Sequence, residues 1–419
     1  MSVFRNGRSN LLAAMMLASV FFSANSIADT GYQLPTLGEA AKVNNNTVGV
    51  VFTHEELYHQ LVHNMQHELE PSSGLRIVPV MGTNHVQSVY DLLFLKGIDL
   101  ALVRADAIEY VKRVGKYHGV QRVVESVSKV SDEKIIVVAS KDYNSLKELD
   151  GQVVGHGSAG SGTFVTSTLV FQTLEIEPVY IEVDSLSAIE KVQSGELAAM
   201  VYLLKASDAV QSDADLEVAK AIAEINSSGK LHIIEISGNE ELDKVYSRTL
   251  LGNEELPDVI ASGDSIKTYA VDTILAAYRW ERDNPRSKRV GRFTNALVEN
   301  LEKLQSGDNQ PVWKRLDLSL ITPSILRSPM IDEAIANKEA EAARMEAEKQ
   351  QLIAEKIHAR ELAAAAAEEK KLAALSKQRD ELTKRLAREL KDADAAELEL
   401  MLENLDSFLE PEDGEGEYK

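Results

Sequence analysis

The feature that most restricts how this chain folds is the stretch between Pro329 and Pro411, which contains neither glycine nor proline. Ala, Glu, Lys, Leu and Arg fill almost every position, a composition typical of a long helix or coiled coil. A helix of about 60–75 residues extends roughly 90–110 Å. We therefore predict a long helical tail over residues 331–409. An acidic end at 410–419, which contains Gly and Pro, is predicted to be disordered.

The tail is strongly charged and only sparsely apolar. Residues 331–419 hold 24 acidic and 14 basic side chains, and the run Ala363–Ala367 thins the apolar stripe. Leucines at partial heptad spacing are Leu372, Leu375, Leu382, Leu386 and Leu390. Two alternatives stay open: a coiled coil for self-association or for binding a protein partner, and a solvated single helix.

The N-terminal residues have the order of a signal peptide. Arg5 and Arg8 precede the apolar stretch Leu11–Phe22, and small residues at Ser26 and Ala28 follow. This pattern predicts cleavage after residue 28 and a mature protein in the periplasm. An uncleaved anchor helix is the alternative, but a bilayer span needs about 20 apolar residues.

Composition excludes several functional classes. The 419 residues include 45 Lys+Arg, 66 Asp+Glu and no cysteine, giving a net charge of -21. Without cysteine there are no disulfides, thiolate metal sites or cysteine nucleophiles. The negative charge repels phosphate backbones, so we expect no nucleic-acid partner. The chain has no G-x-S-x-G elbow and no H-E-x-x-H motif, so we predict a binding protein without a cofactor rather than an enzyme.

After a polar lead-in at 29–46, short apolar runs alternate with helical patterns up to about Pro323. The runs are rich in Val, Ile and Ala without clean alternation, as in parallel strands buried on both faces. Predicted strands are Val48–Phe52, Arg76–Val80, Leu100–Val103, Lys134–Ala139, Val153–Gly155, Ala198–Leu203 and Leu231–Ile236. Predicted helices are Glu55–Leu69, Gln87–Lys96, Asp106–Tyr117, Thr163–Leu174, Ser185–Ser194 and Ile266–Trp280. The pattern predicts an α/β fold with parallel-rich sheets.

A glycine-rich loop, Gly155–Thr163, stands between a predicted strand and a predicted helix. Its glycines allow close approach to the main chain, and free N–H groups at a helix start favour an anionic oxygen. The loop lacks the lysine of a Walker A motif and the context of a dinucleotide fingerprint. We predict an anion-binding site; a turn with Ser and Thr caps is the alternative.

Gly97–Asp106 reads GIDLALVRAD, and Met81–His85 reads MGTNH. Ser145–Gly151, the glycine-rich loop and Ile189–Ala199 follow along the chain. In this order the segments resemble the TAXI-type extracytoplasmic solute receptors of TRAP transporters. Gly97–Asp106 looks like their G-x-x-D-hydrophobic-A-hydrophobic-V-x-x-D stretch, and Met81–His85 resembles their second ligand loop. The resemblance covers about residues 47–325 and does not include the tail.

This resemblance implies a two-lobed periplasmic binding protein, type II-like, with two crossover strands as its hinge. Lobe 1 would be 47–138 with 241–325, and lobe 2 would be 139–240. A small organic anion, such as a carboxylate or an amino acid, would bind between the lobes. The membrane partner would be the permease subunits of a TRAP transporter.

Candidate ligand-binding residues follow from the resemblance and from the glycine-rich loop. They are Thr53, His54, Thr83, Asn84, Arg104, Asp106, Ser158, Gly160, Ser161, Gly162, Thr163 and Lys205. Phe52–Glu56 replaces the glycine-rich turn of the family, which would narrow the cleft and disfavour a second anion. Alternatives stay open for Lys205, as a surface lysine, and for Arg104 with Asp106, as a local ion pair.

Two further functions remain as alternatives. A receptor-derived sensor or assembly protein would use the lobes and the tail for protein interaction. A divalent-metal-binding protein would use His59, His63 and His67, which fall on one helix face. The alternative is that these histidines form a solvated polar face, because Leu57, Leu61 and Val62 mark a different, core-facing stripe of the helix.

Overall fold

The computed structural model describes residues 46–205, 213–225, 229–306, 309–392 and 400. The predicted signal peptide, the lead-in up to residue 45 and the acidic end lie outside the described residues. The chain divides into two compact units, one ending at Lys338 and one beginning at Glu339.

The first unit alternates strands and helices along the chain. Its strands are β1 (Thr47–Phe52), β2 (Arg76–Met81), β3 (Ile98–Arg104), β4 (Val124–Ser140), β5 (Val153–His156), β6 (Val179–Glu182), β7 (Ala199–Lys205), β8 (Leu231–Ile234), β9 (Ser247–Gly252), β10 (Ser265–Tyr278) and β11 (Leu326–Arg327). The helices are α1 (Glu56–Ser73), α2 (His85–Phe94), α3 (Ala105–Arg113), α4 (Val120–Val123), α5 (Gly162–Thr173), α6 (Ser185–Ser194), α7 (Asp213–Ala223), α8 (Pro285–Glu299), α9 (Leu301–Gln305) and α10 (Pro329–Asp392), which continues into the second unit.

The strands join in one mixed sheet of order β2-β1-β3-β10-β4-β7-β5-β6. Strand β1 is parallel to β2 and β3, and β5 is parallel to β6 and β7. The long strands β4 and β10 run antiparallel to each other and join these two parallel sections. The predicted α/β fold with parallel-rich strands is confirmed.

Each parallel section has its own core. We call β1–β3 and the helices packed on them the first half. In its core, Phe52, Tyr58 and Phe293 are fully buried. We call β5–β7 and the helices packed on them the second half. In its core, Phe171 and Tyr246 are fully buried. Helices and loops cover both faces of the sheet, which explains why its strands read as continuous apolar runs. The exact lobe boundaries remain a prediction.

The predicted helix Ile266–Trp280 is wrong, because this segment forms strand β10. The strand is paired with β3 on one side and with β4 on the other, and residues 268–277 are buried on both of its faces. A doubly buried strand loses the period-2 alternation, and its apolar positions then also satisfy helical spacing. Its β-branched and aromatic residues favour the strand.

The predicted long helix is confirmed as α10. Its first turns belong to the first unit, where Ile331 and Ala334 are buried and Lys338 donates to the carbonyl of Val298 at 3.1 Å. From Glu339 onward every described side chain of the helix is exposed. Pairing of this helix with another remains a prediction. None of the described helices is both long and apolar enough to cross a membrane.

Candidate functional site

The candidate site lies where the carboxyl ends of β1 and β3 meet the second half. Arg104 is the last residue of β3 and is almost completely buried. Its Nε donates to Glu133 Oε2 of strand β4 at 2.6 Å, and its Nη2 lies 2.5 Å from the same oxygen. Both contacts go to one oxygen of the Glu133 carboxylate, so this is a buried, charge-assisted pair and not the fork in which arginine binds both carboxylate oxygens.

The carboxylate of Glu55, in the turn between β1 and α1, bridges the two halves. Its Oε1 lies 3.6 Å from Arg104 Nη2 and 3.4 Å from His85 Nε2, both in the first half. Its Oε2 lies 3.1 Å from Nζ of Lys205, which ends β7 and is opposite Glu133 in the β4–β7 register. One carboxylate therefore contacts two cations and an imidazole.

The imidazole of His85 is buried behind this carboxylate. Its Nδ1 accepts a hydrogen bond from the Arg104 main-chain N–H at 3.4 Å, so Nε2 is the nitrogen that carries the proton and faces Glu55. Burial and the nearby Arg104 charge lower the pKa of His85 to about 4. The imidazole is therefore a neutral donor at pH 7.

Burial and charge act in opposite directions on the ionised groups. Burial disfavours the Glu55 carboxylate, but the charges of Arg104 and Lys205 outweigh it and hold the pKa of Glu55 well below its ordinary value. Burial lowers the pKa of Arg104, but Glu133 and Glu55 more than offset this and raise it. For Glu133, burial prevails over Arg104 and raises the pKa. Glu55 is thus the carboxylate that the cations hold most firmly in its charged form.

The glycine-rich loop of the second half packs directly against these residues. Ser161 caps α5 by accepting from the Phe164 N–H at 3.2 Å. A Cβ atom on Gly162 would lie 2.5 Å from Arg104 Cζ, and one on Gly160 would lie 2.7 Å from Asn84 Nδ2. Only glycine leaves room for this approach. The structure therefore brings the candidate residues Gly160 and Gly162 against Asn84 and Arg104.

A second contact between the halves is built on Asp106 of α3. Its Oδ2 accepts from Thr166 Oγ1 of α5 at 2.6 Å and from the Tyr246 hydroxyl at 3.3 Å. Nearby, Arg113 Nη1 donates to Thr173 Oγ1 at 2.9 Å, so α3 and α5 are held at two points. Burial raises the pKa of Asp106 to about 6.

Asp106 should give the protein a measurable pH dependence. Because its folded-state pKa is above the ordinary 3.8, the folded protein binds this proton more tightly than the unfolded chain. Its contribution to the free energy of unfolding therefore increases as the pH falls from about 6 to about 4. Relative to Asp106→Asn, wild type should gain up to about 1.4 kcal/mol per pH unit across that window, measured by urea unfolding.

A matched control for this pH effect is Asp184→Asn. Asp184 caps α6, and its pKa is lowered by hydrogen bonds from Ser187. Its contribution has the opposite sign, because stability is lost as the pH falls through a lowered pKa. A wild-type protein that loses stability relative to Asp106→Asn between pH 6 and pH 4 would contradict the assignment.

The remaining candidate residues have different environments. Thr53 is 2% exposed, and its hydroxyl has no hydrogen-bond partner within the described part of the chain. Thr163 is half-buried at the start of α5, whereas His54, Thr83 and Ser158 are exposed. Residues that sequence reasoning missed as site residues are Glu55, His85, Glu133, Thr166 and Tyr246. One sequence feature pointed to Glu55: Phe52–Glu56 stands where the resembled receptors have a glycine-rich turn.

The histidine face of α1 is exposed at His59, His63 and His67. His67 Nδ1 lies 3.0 Å from Glu68 Oε1. Across the described ranges, no three His, Asp or Glu side chains converge in a geometry that could hold a metal ion.

No protein-family model and no curated protein matches this chain. Among solved structures, it is similar to a Xanthomonas citri protein bound to ATP, with 12% identity over 71% of this chain and 98% of that chain, and a TM-score of 0.41. PhnD1 from Prochlorococcus marinus, in complex with methylphosphonate, shares 12% identity over 65% and 89%, with a TM-score of 0.37. A putative periplasmic sulfonate-binding protein, SsuA from Methylobacillus flagellatus, shares 10% over 70% and 76%, with a TM-score of 0.36. At these identities and TM-scores, none of the three similarities bears on what this chain binds.

Proposed function

We propose that this protein is a periplasmic solute receptor that binds a small organic anion, a carboxylate or an amino acid, between its two halves. Delivery to a TRAP-type permease is part of the proposal and rests on the family resemblance. The observation that supports an anion most directly is the environment of the Glu55 carboxylate. Arg104, Lys205 and the His85 Nε2–H surround one carboxylate, so the same groups offer a carboxylate site to a ligand.

The position of this site also supports a receptor. Arg104 belongs to the first half and Lys205 to the second, so an anion bound by both would hold the halves together. In open α/β sheets, ligands bind at the carboxyl ends of parallel strands, where Arg104 and the glycine-rich loop lie. Binding between two halves is the usual way in which a ligand drives domain closure.

A panel of small organic acids and amino acids, tested by thermal shift and calorimetry on the mature protein, examines this function. A ligand present at 100 times its dissociation constant stabilises the folded state by about 2.7 kcal/mol. We expect at least one panel member to raise the midpoint of unfolding of wild type and of Lys191→Met. Lys205→Met should lose the response.

Lys191 is the matched control because it also pairs with a glutamate, Glu196, but in an exposed position outside the cleft. A response that survives Lys205→Met would place the ligand elsewhere. If no organic acid stabilises wild type or any variant of the cleft, the receptor function is wrong.

A second candidate is the receptor-derived sensor or assembly protein. It is favoured by the charge balance of the cleft, since Arg104 and Lys205 already face Glu133 and Glu55 of the same chain. It is also favoured by the apolar side chains that α10 exposes after Glu339, among them Leu375 and Leu382. Failure of the whole panel in wild type and in the cleft variants would support this candidate over the first.

A further inference from the structure

We infer that Glu55 is a tethered competitor that occupies the anion-binding position and sets the affinity of the cleft. This inference rests on the proposed function and concerns the regulation of that same site. An incoming carboxylate must displace the Glu55 carboxylate from Arg104, His85 and Lys205 before it can make the same contacts.

The charged groups around Glu55 determine which ligand can enter the cleft. The two cations, Arg104 and Lys205, are opposed by two carboxylates, Glu133 and Glu55. Of the two, Glu133 is fixed, because its side chain is 6% exposed and receives two contacts from Arg104. With Glu55 displaced, Arg104 and Lys205 each lose one carboxylate contact. The position that Glu55 leaves therefore accepts a ligand that presents a single carboxylate to these two groups.

Glu55 is placed so that it can leave. Its side chain is 21% exposed, although the Oε2 atom is buried, and it extends from the N-cap position of α1. A side chain attached to the protein competes with a free ligand as an intramolecular partner. The apparent dissociation constant of a ligand rises by the inverse of the fraction of molecules in which Glu55 is displaced. Removing the Glu55 carboxylate should therefore tighten binding.

Acetate tests the inference because Glu55→Ala deletes a methylene and a carboxylate, the atoms that acetate supplies. We expect acetate to bind Glu55→Ala at least tenfold more tightly than wild type, and to raise the midpoint of unfolding of the variant in a saturable way. Sodium chloride at equal ionic strength separates this from a general salt effect. Glu196→Ala removes an exposed glutamate that also pairs with a lysine, and should behave like wild type.

Glu55→Gln provides a second measurement, because it keeps the side-chain volume and removes only the charge. A neutral amide is a weaker partner for Arg104, so this variant should also bind acetate at least tenfold more tightly than wild type. If both variants bind acetate no better than wild type, Glu55 is not a competitor. If wild type still responds to the organic-acid panel in that case, the receptor function stands and this inference alone fails. If neither wild type nor either variant binds any panel member, both fail.

Discussion

Replacing Arg104 by methionine should lower the free energy of unfolding by about 3–5 kcal/mol, the usual cost of removing one partner from a buried ion pair. The side chain of Arg104 is 6% exposed and contacts both Glu133 and Glu55. Methionine matches much of its volume but leaves the Glu133 carboxylate buried without its counter-charge. The lost free energy of unfolding reflects mainly the cost of burying an unpaired Glu133 carboxylate, and not the net stabilisation that the ion pair provides.

The effect of Arg104→Met should depend on pH. Burial already raises the pKa of Glu133, and without Arg104 the proton is bound still more readily. Protonation removes the stranded charge, so the destabilisation should shrink as the pH falls from 7 to 5. Urea unfolding at both pH values measures the change. A variant within about 1 kcal/mol of wild type at pH 7 would contradict the described network.

Arg248→Met is the matched control, because Arg248 also pairs with a carboxylate, that of Asp243, but its side chain is 59% exposed. Exposed pairs are screened by water and salt, so this change should have little effect on unfolding at either pH. A comparable loss in both variants would indicate a general effect of removing positive charge from an acidic protein.

Sequence reasoning assigns Arg104 and the glycine-rich loop to the same edge of the sheet, and the structure brings these two segments together. Arg104 closes a buried parallel strand, and the glycine-rich loop joins another strand to a helix, so both belong at the carboxyl edge of the sheet. The long helix α10 was predictable for a similar reason, since its composition leaves few other structures open.

The partners of these residues could not be predicted in the same way. Glu133 is 29 residues from Arg104, and Tyr246 is 140 residues from Asp106, so both contacts depend on how the chain returns to the sheet. In the sheet, β10 lies between β3, which carries Arg104, and β4, which carries Glu133, and β10 is the segment whose pattern favoured a helix. Without its antiparallel pairing to β3 and β4, no spacing in the sequence brings these groups together. The spacing of apolar residues within one segment does not specify the register in which that segment pairs with a distant strand.

Gly162→Ala should destabilise the protein by about 1–3 kcal/mol, although alanine is a better helix former than glycine. Gly162 begins α5, and its backbone does not require a left-handed conformation. An added Cβ would meet the Arg104 guanidinium, with only 2.5 Å to Cζ. A free arginine would move aside, but this one is paired with Glu133 and Glu55, so moving it would weaken those contacts.

Gly291→Ala supplies the opposite expectation within the same chain. Gly291 lies inside α8, and an added Cβ would lie 3.9 Å from Met330 Sδ, an ordinary contact distance. Alanine there should stabilise the protein by about 0.5–1 kcal/mol. Urea unfolding of the two variants therefore tests how closely the halves pack, because the change in the free energy of unfolding should have opposite signs in the two variants. If both substitutions stabilise, the glycine-rich loop does not pack against Arg104, and the carboxylate site between the halves is wrong.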